Sequence, residues 1–340
     1  MFVFRNMAQR KNVIVFGGAG FIGSHLCERL LKEANVICID NFSTSGEGNI
    51  NHLLRSPNFK FVNHDFTIPL ILEEIQDLDQ FEIKVFGIKE IYNFACPMST
   101  DKFDKLKIET IKAQTIGLIN ALELAIKYQA KFLQASSSVV YGQAEKDQFI
   151  KEDYRGVIDM LSSLSSYDEG KRYAETVVKT YQEVHNLDAR IVRIFRTYGP
   201  RMLLNDGQML PDFISNALDN KDLVIYGDEE FKSSFCYVSD VVEGCLKVME
   251  TPMLDPINIG RTDVFRLVDI AKKVIELTGS ESKIVFENEK KFMRQLTLPD
   301  ITKIREELGW VPIVTLEDGL QKTVDYTRAH KDLLTFSTDI

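Results

Sequence analysis

A glycine-spaced turn near the start of the chain limits the available folds more than any other feature. The stretch "NVIVFGGAGFIGSHLCERLL" opens with a buried strand that glycines stop. Ile22, Leu26 and Leu30 then recur at helical spacing. Gly17, Gly20 and Gly23 therefore stand at a strand-to-helix turn. The first allows the tight turn, the second lets a backbone approach a pyrophosphate, and the third lets the helix pack on the strand. A plain tight turn is the alternative. The position in a first βαβ unit favours dinucleotide binding, with Phe21 and Ile22, inside the turn, included in the contact surface.

The pattern continues in kind. "NVICIDNF", "NFKFVNHD", "EIYNFACP", "KFLQASS" and "ARIVRIF" read as further strands. Between them, Ile111, Thr115, Ile119, Leu122 and Ile126 trace one helical face, and a second helix runs from about Tyr167 to His185. Near-continuous apolar strands alternating with helices predict a doubly wound parallel sheet of the Rossmann type over residues 1–195. After Phe195 the strands shorten ("DLVIYG", "SSFCYV", "DPINIG", "SKIVFE"), interleaved with helices near 207–219, 239–250, 264–278 and 300–308. Residues 196–340 are expected to form mostly a smaller α/β substrate lobe, with some chain returning to the first domain. The stretches 41–49 and 141–153 read as loops.

The 340 residues suffice for such a core, and the net charge of −9 offers no basic footprint for nucleic acid or an anionic membrane. Five cysteines without a C-x-x-C pair read as reduced thiols in a cytoplasmic protein, and no metal site is read. The leader "MFVFRNMAQRKN" is too short for a signal peptide, and no apolar run approaches a membrane span.

Several side chains then acquire candidate roles. Asp40 ends the second strand, where a carboxylate accepts ribose hydroxyls and repels a 2′-phosphate, favouring NAD over NADP; a solvated strand-end aspartate is the alternative. Asp65, past the third strand, is either an adenine contact or an ordinary loop residue. Tyr167 and Lys171 lie four apart on a helix, and no other of the eleven tyrosines has a lysine at that spacing. An exposed helix pair is the plain reading. Following a strand tipped by "QASSSVVYG", the pair reads better as a phenol whose pKa the ammonium lowers, a base for an alcohol. Of the serines, Ser136 and Ser138 share a face unless the strand has ended, and Ser137 points the other way.

Together these residues resemble the extended short-chain dehydrogenase/reductases that act on nucleotide sugars, most closely the UDP-glucuronate decarboxylases. The resemblance rests on the glycine stretch, "ACP" at 95–97, "SYDEGKRYAET", "RIF-TYGPRM", "SFCYVSDVVEG" and "PDITK" with "ELGW". It implies a bound NAD, with Asn41, Phe66 and Ala95 joining Asp40 and Asp65 around it, and Tyr167 and Lys171 also touching it. It implies that Ser137, with Ser138 beside it, holds a sugar C4 hydroxyl while Tyr167 takes its proton. A homodimer built on the Tyr167 helix is implied too.

The chain departs from the resemblance in telling places. The decarboxylases carry glutamate at the position of Val139, and 4,6-dehydratases carry acids at those of Ser138 and Val139. Leu296, Thr297 and Leu298 replace an Arg-rich stretch before "PDI"; Arg196 stands where asparagine is usual, and Ser233 where arginine is. Arg196, Lys232 and Arg294, with Thr197, are candidate substrate contacts, the alternative being ordinary surface charge. These departures lead to an expected 4-dehydrogenase or 4-epimerase of a neutral nucleotide hexose or heptose. A UDP-glucuronate decarboxylase is the first rival, and a catalytically silent NAD-binding regulator the second.

Overall fold

The computed structural model describes residues 10–100, 102–142, 145, 147–288 and 297–334. Its centre is a seven-stranded parallel sheet of β1 (Lys11–Phe16), β2 (Ala34–Asp40), β3 (Phe59–Asn63), β4 (Glu90–Asn93), β5 (Lys131–Ser137), β6 (Ala189–Ile194) and β7 (Ile257–Ile259). The spatial order is β7-β6-β5-β4-β1-β2-β3. Strand order reverses between β1 and β4, so the crevice for a ligand opens at their carboxyl ends.

Successive side chains on a strand face opposite ways, so a sheet covered on both faces needs every position apolar. In β1, Val13 and Val15 join the core against α1 (Phe21–Leu30), while Ile14 and Phe16 join the opposite core. That opposite core is closed by α3 (Leu118–Tyr128) and α4 (Ser165–His185); α2 (Phe103–Lys112) packs on α4, with one π-helical turn, Ala113–Gly117, joining α2 to α3.

The helical face traced by Ile111, Thr115, Ile119, Leu122 and Ile126 divides between core and solvent: Leu122 is buried and Ile126 packs against the core. Ile111 and Ile119 are exposed, while Ala113, Gly117, Leu118, Ala121, Leu122 and Ala125 are buried. A Cβ on Gly117 would come within 2.6 Å of the Phe66 ring, so the close approach selects small residues for the inward face.

A second core holds α5 (Met209–Leu218), α7 (Leu267–Thr278) and α9 (Leu316–Leu334), together with the parallel pair Leu223–Tyr226 and Ile284–Glu287. Two segments after Phe195 join the main sheet. "DPINIG" contributes β7, paired with β6, and the helix expected near 239–250, α6 (Val238–Glu250), packs on α1, β6 and β7. Helix α8 (Thr302–Leu308) also packs on β7. Among the described residues no helix is long and apolar enough to cross a membrane.

Candidate active site

Gly17 takes the left-handed conformation (φ +72°), and a Cβ there would lie 2.7 Å from the Ala95 amide nitrogen. A Cβ on Gly23 would lie 2.1 Å from the Gly17 carbonyl oxygen. These two close approaches bring the start of α1 against the ends of β1 and β4. Helix α1 begins without a side-chain cap and without an acidic residue in its first turn. Its first amide N–H groups thus keep their capacity for an anion. A Cβ on Gly20 would touch only the Gly17 oxygen, at 3.2 Å, so the groove beside it stays open. This cradle fits a dinucleotide pyrophosphate.

Away from the turn, the groove runs between Asp40, Asn41, Asp65, Phe66 and Ala95. Asp40 accepts hydrogen bonds from the Ala19 amide at 3.0 Å and from the Phe42 amide and Ser45 hydroxyl, both at 2.9 Å. Burial pushes its carboxyl pKa up, and those donors oppose the shift. The aspartate is thereby fixed in place, with lone pairs left over for a ligand. Asp65 accepts from the Thr67 amide and hydroxyl, an Asx turn that shapes the same wall. Phe66 stacks near Phe16, their centroids 5.5 Å apart.

In the other direction the groove passes Phe21, Ile22, Ser136, Ser137, Ser138 and Lys171. Strand β5 ends at Ser137, and a 3-10 turn over Ser138–Tyr141 follows. The three serines therefore do not simply alternate. The Ser136 hydroxyl donates to Glu175 of α4, and the Ser137 oxygen accepts from the Val139 amide at 3.4 Å. Ser138 is buried, whereas Ser137 is partly open to the groove.

Helix α4 buries a stripe of Asp168, Lys171, Ala174, Val178 and Gln182 at helical spacing. Lys171 is thus drawn inward, where its ammonium donates to the Ala135 carbonyl at 2.8 Å and lies 5.9 Å from the Tyr167 ring centroid. Burial lowers its pKa, against the opposing influence of Cys96 and Glu175. Glu175 is held in turn by Arg193, at 2.7 Å. Tyr167 and Ser137 also line the next compartment, with Val139, Arg196, Thr197 and Phe235.

All fifteen candidate residues other than Arg196, Lys232 and Arg294 thus come to one continuous groove, and Arg196 comes with them. Lys232 does not: it sits in the short strand Lys232–Ser233, paired with Phe265–Arg266, outside the residues lining that groove. Arg294 lies outside the described residues. Other lining residues carried no sequence signal of their own, among them Met98, Thr100, Gln208 and Arg201. Arg201 follows a Gly-Pro turn and pairs with Glu28 of α1, a contact visible only once the chain is folded.

The sequence pattern of the family described as GDP-mannose 4,6 dehydratase matches residues 14–323. The chain belongs to that family. Among similar members, UDP-glucuronic acid decarboxylase 1 of Xenopus tropicalis is 37% identical over 326 residues, covering 96% of this chain and 74% of that protein. UDP-glucuronic acid decarboxylase 4 of Arabidopsis thaliana is 40% identical over 309 residues, covering 91% of this chain but 66% of its relative. Members of known structure include a UDP-glucose 4-epimerase of Thermotoga maritima with UDP-glucose, with a TM-score of 0.81 and 27% identity over 94% of this chain and 99% of that one. A UDP-glucuronic acid 4-epimerase of Bacillus cereus, in complex with UDP-glucuronic acid and NAD, gives a TM-score of 0.80 and 27% identity over the same shares. These two solved structures hold UDP-glucose, and UDP-glucuronic acid with NAD, respectively.

Proposed function

We propose that the protein is an NAD-dependent oxidoreductase that oxidises the C4 hydroxyl of a nucleotide-activated sugar. The 4-keto product is then released, as in a 4-dehydrogenase, or reduced on its other face, as in a 4-epimerase. One observation carries this reading: Ser137, Tyr167 and Lys171 meet in a groove continuous with the glycine cradle. Gly17, Gly20, Gly23, Asp40, Phe66 and Ala95 would hold the NAD, which when bound supplies the hydride acceptor. Ser137 hydrogen-bonds the sugar hydroxyl and fixes its orientation. Tyr167 accepts the hydroxyl proton on its phenolate oxygen as the C4 carbon is oxidised. Lys171, pinned by the Ala135 carbonyl, stabilises that phenolate electrostatically. Val139 is buried and lines the compartment beside Ser137, so this position supplies no acid to drive a later elimination.

A second reading is UDP-glucuronate decarboxylation, favoured by the relatives at 37% and 40% identity. Incubating the protein and NAD with UDP-glucuronate, then following mass and NMR, separates the two. Loss of CO2 establishes the second reading; an unchanged mass with an inverted C4 supports the first. Unaltered substrate directs the search to neutral UDP-, GDP- and dTDP-sugars, and failure of all of them sinks the proposal. We also propose a homodimer, because exposed Ile108, Ile111, Ile116 and Ile119 lie along the α2–α3 pair beside α4. All five cysteines are unbridged, which suits a reducing cytoplasm.

A further inference from the structure

Arg196 follows β6 and lines both compartments of the groove around Ser137 and Tyr167. The residue is half-buried. Its polar neighbours are poor. Nη1 reaches the Met209 sulfur at 3.6 Å, and the guanidinium lies 5.7 Å from the Phe235 ring centroid. Nε is shielded from solvent and meets no acceptor. Among the described residues no carboxylate forms an ion pair with it. Of the two acids that line the compartments with it, Asp206 is engaged by Ser99, Thr100 and Gln208, and Asp168 lies on the buried stripe of α4. Burial alone lowers the arginine's pKa to about 10, still well above neutrality, so the charge persists.

A buried cation with unmet donors destabilises the protein that carries it. The side chain is also the one best shaped to grip two oxygens of a planar or tetrahedral anion. We propose that Arg196 is the anion receptor of the substrate compartment, binding an oxyanion that the nucleotide sugar itself carries. That oxyanion comes from the diphosphate or from a carboxylate on the sugar. This deepens the nucleotide-sugar reading and rests on it. It also departs from the expectation of a neutral sugar if the carboxylate is the source.

The test is calorimetric titration of UDP, UDP-glucose and UDP-glucuronate into the wild type, Arg196→Gln and Arg196→Lys, with the melting temperature of each free protein. Loss of a charge-assisted pair weakens binding by about 10- to 100-fold in Arg196→Gln. Equal weakening for all three ligands identifies the diphosphate; weakening confined to UDP-glucuronate identifies the carboxylate. Arg196→Lys recovers part of the lost affinity. Free Arg196→Gln melts no lower than the wild type, since it sheds an uncompensated charge. Unchanged affinities, or a free Arg196→Gln that melts lower, overturn the proposal. If the wild type binds none of the three, the nucleotide-sugar reading fails instead. In that event inorganic pyrophosphate is the probe: raising the melting temperature of the wild type but not of Arg196→Gln keeps the receptor, and raising neither removes it.

Discussion

At the scale of single residues, the groove divides its work between groups that are held and groups left open. Tyr167 stands open to both compartments, while Lys171 behind it is anchored to a backbone carbonyl. Replacing Tyr167 with Phe keeps the ring and removes only the oxygen. The expected result is a loss of about 10²- to 10⁴-fold in kcat, with NAD affinity measured by fluorescence titration nearly unchanged. Asp40 plays two parts, stapling the Ala19–Ser45 backbone and presenting its remaining lone pairs to a ribose. Asp40→Asn should weaken NAD while strengthening NADP, because the negative charge that repels a 2′-phosphate is gone. The ratio of the two dissociation constants checks this; an unmoved ratio places the ribose elsewhere. These residues were legible in the sequence because each follows from a local rule: a glycine turn, a strand end, a four-residue helical step. Arg201 and Gln208 were not, since their place in the groove depends on how a long excursion of the chain folds back. Lys232, charged and near a motif, is paired with Arg266 in a short strand outside the residues that line the groove.

At the scale of elements, α1 and its neighbours show what a sequence hides. His25 lies on α1, and its Nε2–H donates to the Pro200 carbonyl at 2.9 Å, tying the helix to the segment after β6. Burial, followed by the nearby Arg201, lowers the His25 pKa from 6.5 to about 4. Between those values the unfolded chain takes up a proton that the folded one refuses, so stability falls with falling pH through that window and is unaffected above it. Going from about pH 7 to about pH 5 should remove roughly 2 kcal/mol through this group. Urea midpoints at the two pH values check it, and His25→Gln should show a smaller drop than the wild type. The α2–α3 pair was legible only in part, since Leu122 and Ile126 meet the core while Ile111 and Ile119 do not. Ile111, Thr115 and Ile119 repeat at helical spacing, which reports an apolar face but not what covers it. The inward face is instead rich in alanine and glycine, which carry little periodic signal and permit close packing on α4. The doubly wound sheet was legible regardless, because its strands are apolar at nearly every position.

At the scale of the whole molecule, the outward isoleucines become a statement about assembly. If a second copy covers them, sedimentation should give about twice the 38.9 kDa of one chain. The paired change Ile111→Glu with Ile119→Glu should yield a monomer that still binds NAD, and a wild type that sediments as a monomer would dismiss the dimer. The main sheet and the second core are also joined in an unusual way for a chain that reads as two consecutive halves. β7, α6 and α8 return to the sheet from the second half, so the chain passes between the two cores at 195–197, 237–238, 260–264, between 287 and 302, and at 309–315. A flap hung on one thread can swivel about any axis. A flap sewn at five places has far less freedom to swivel, so the two walls of the groove are held in register.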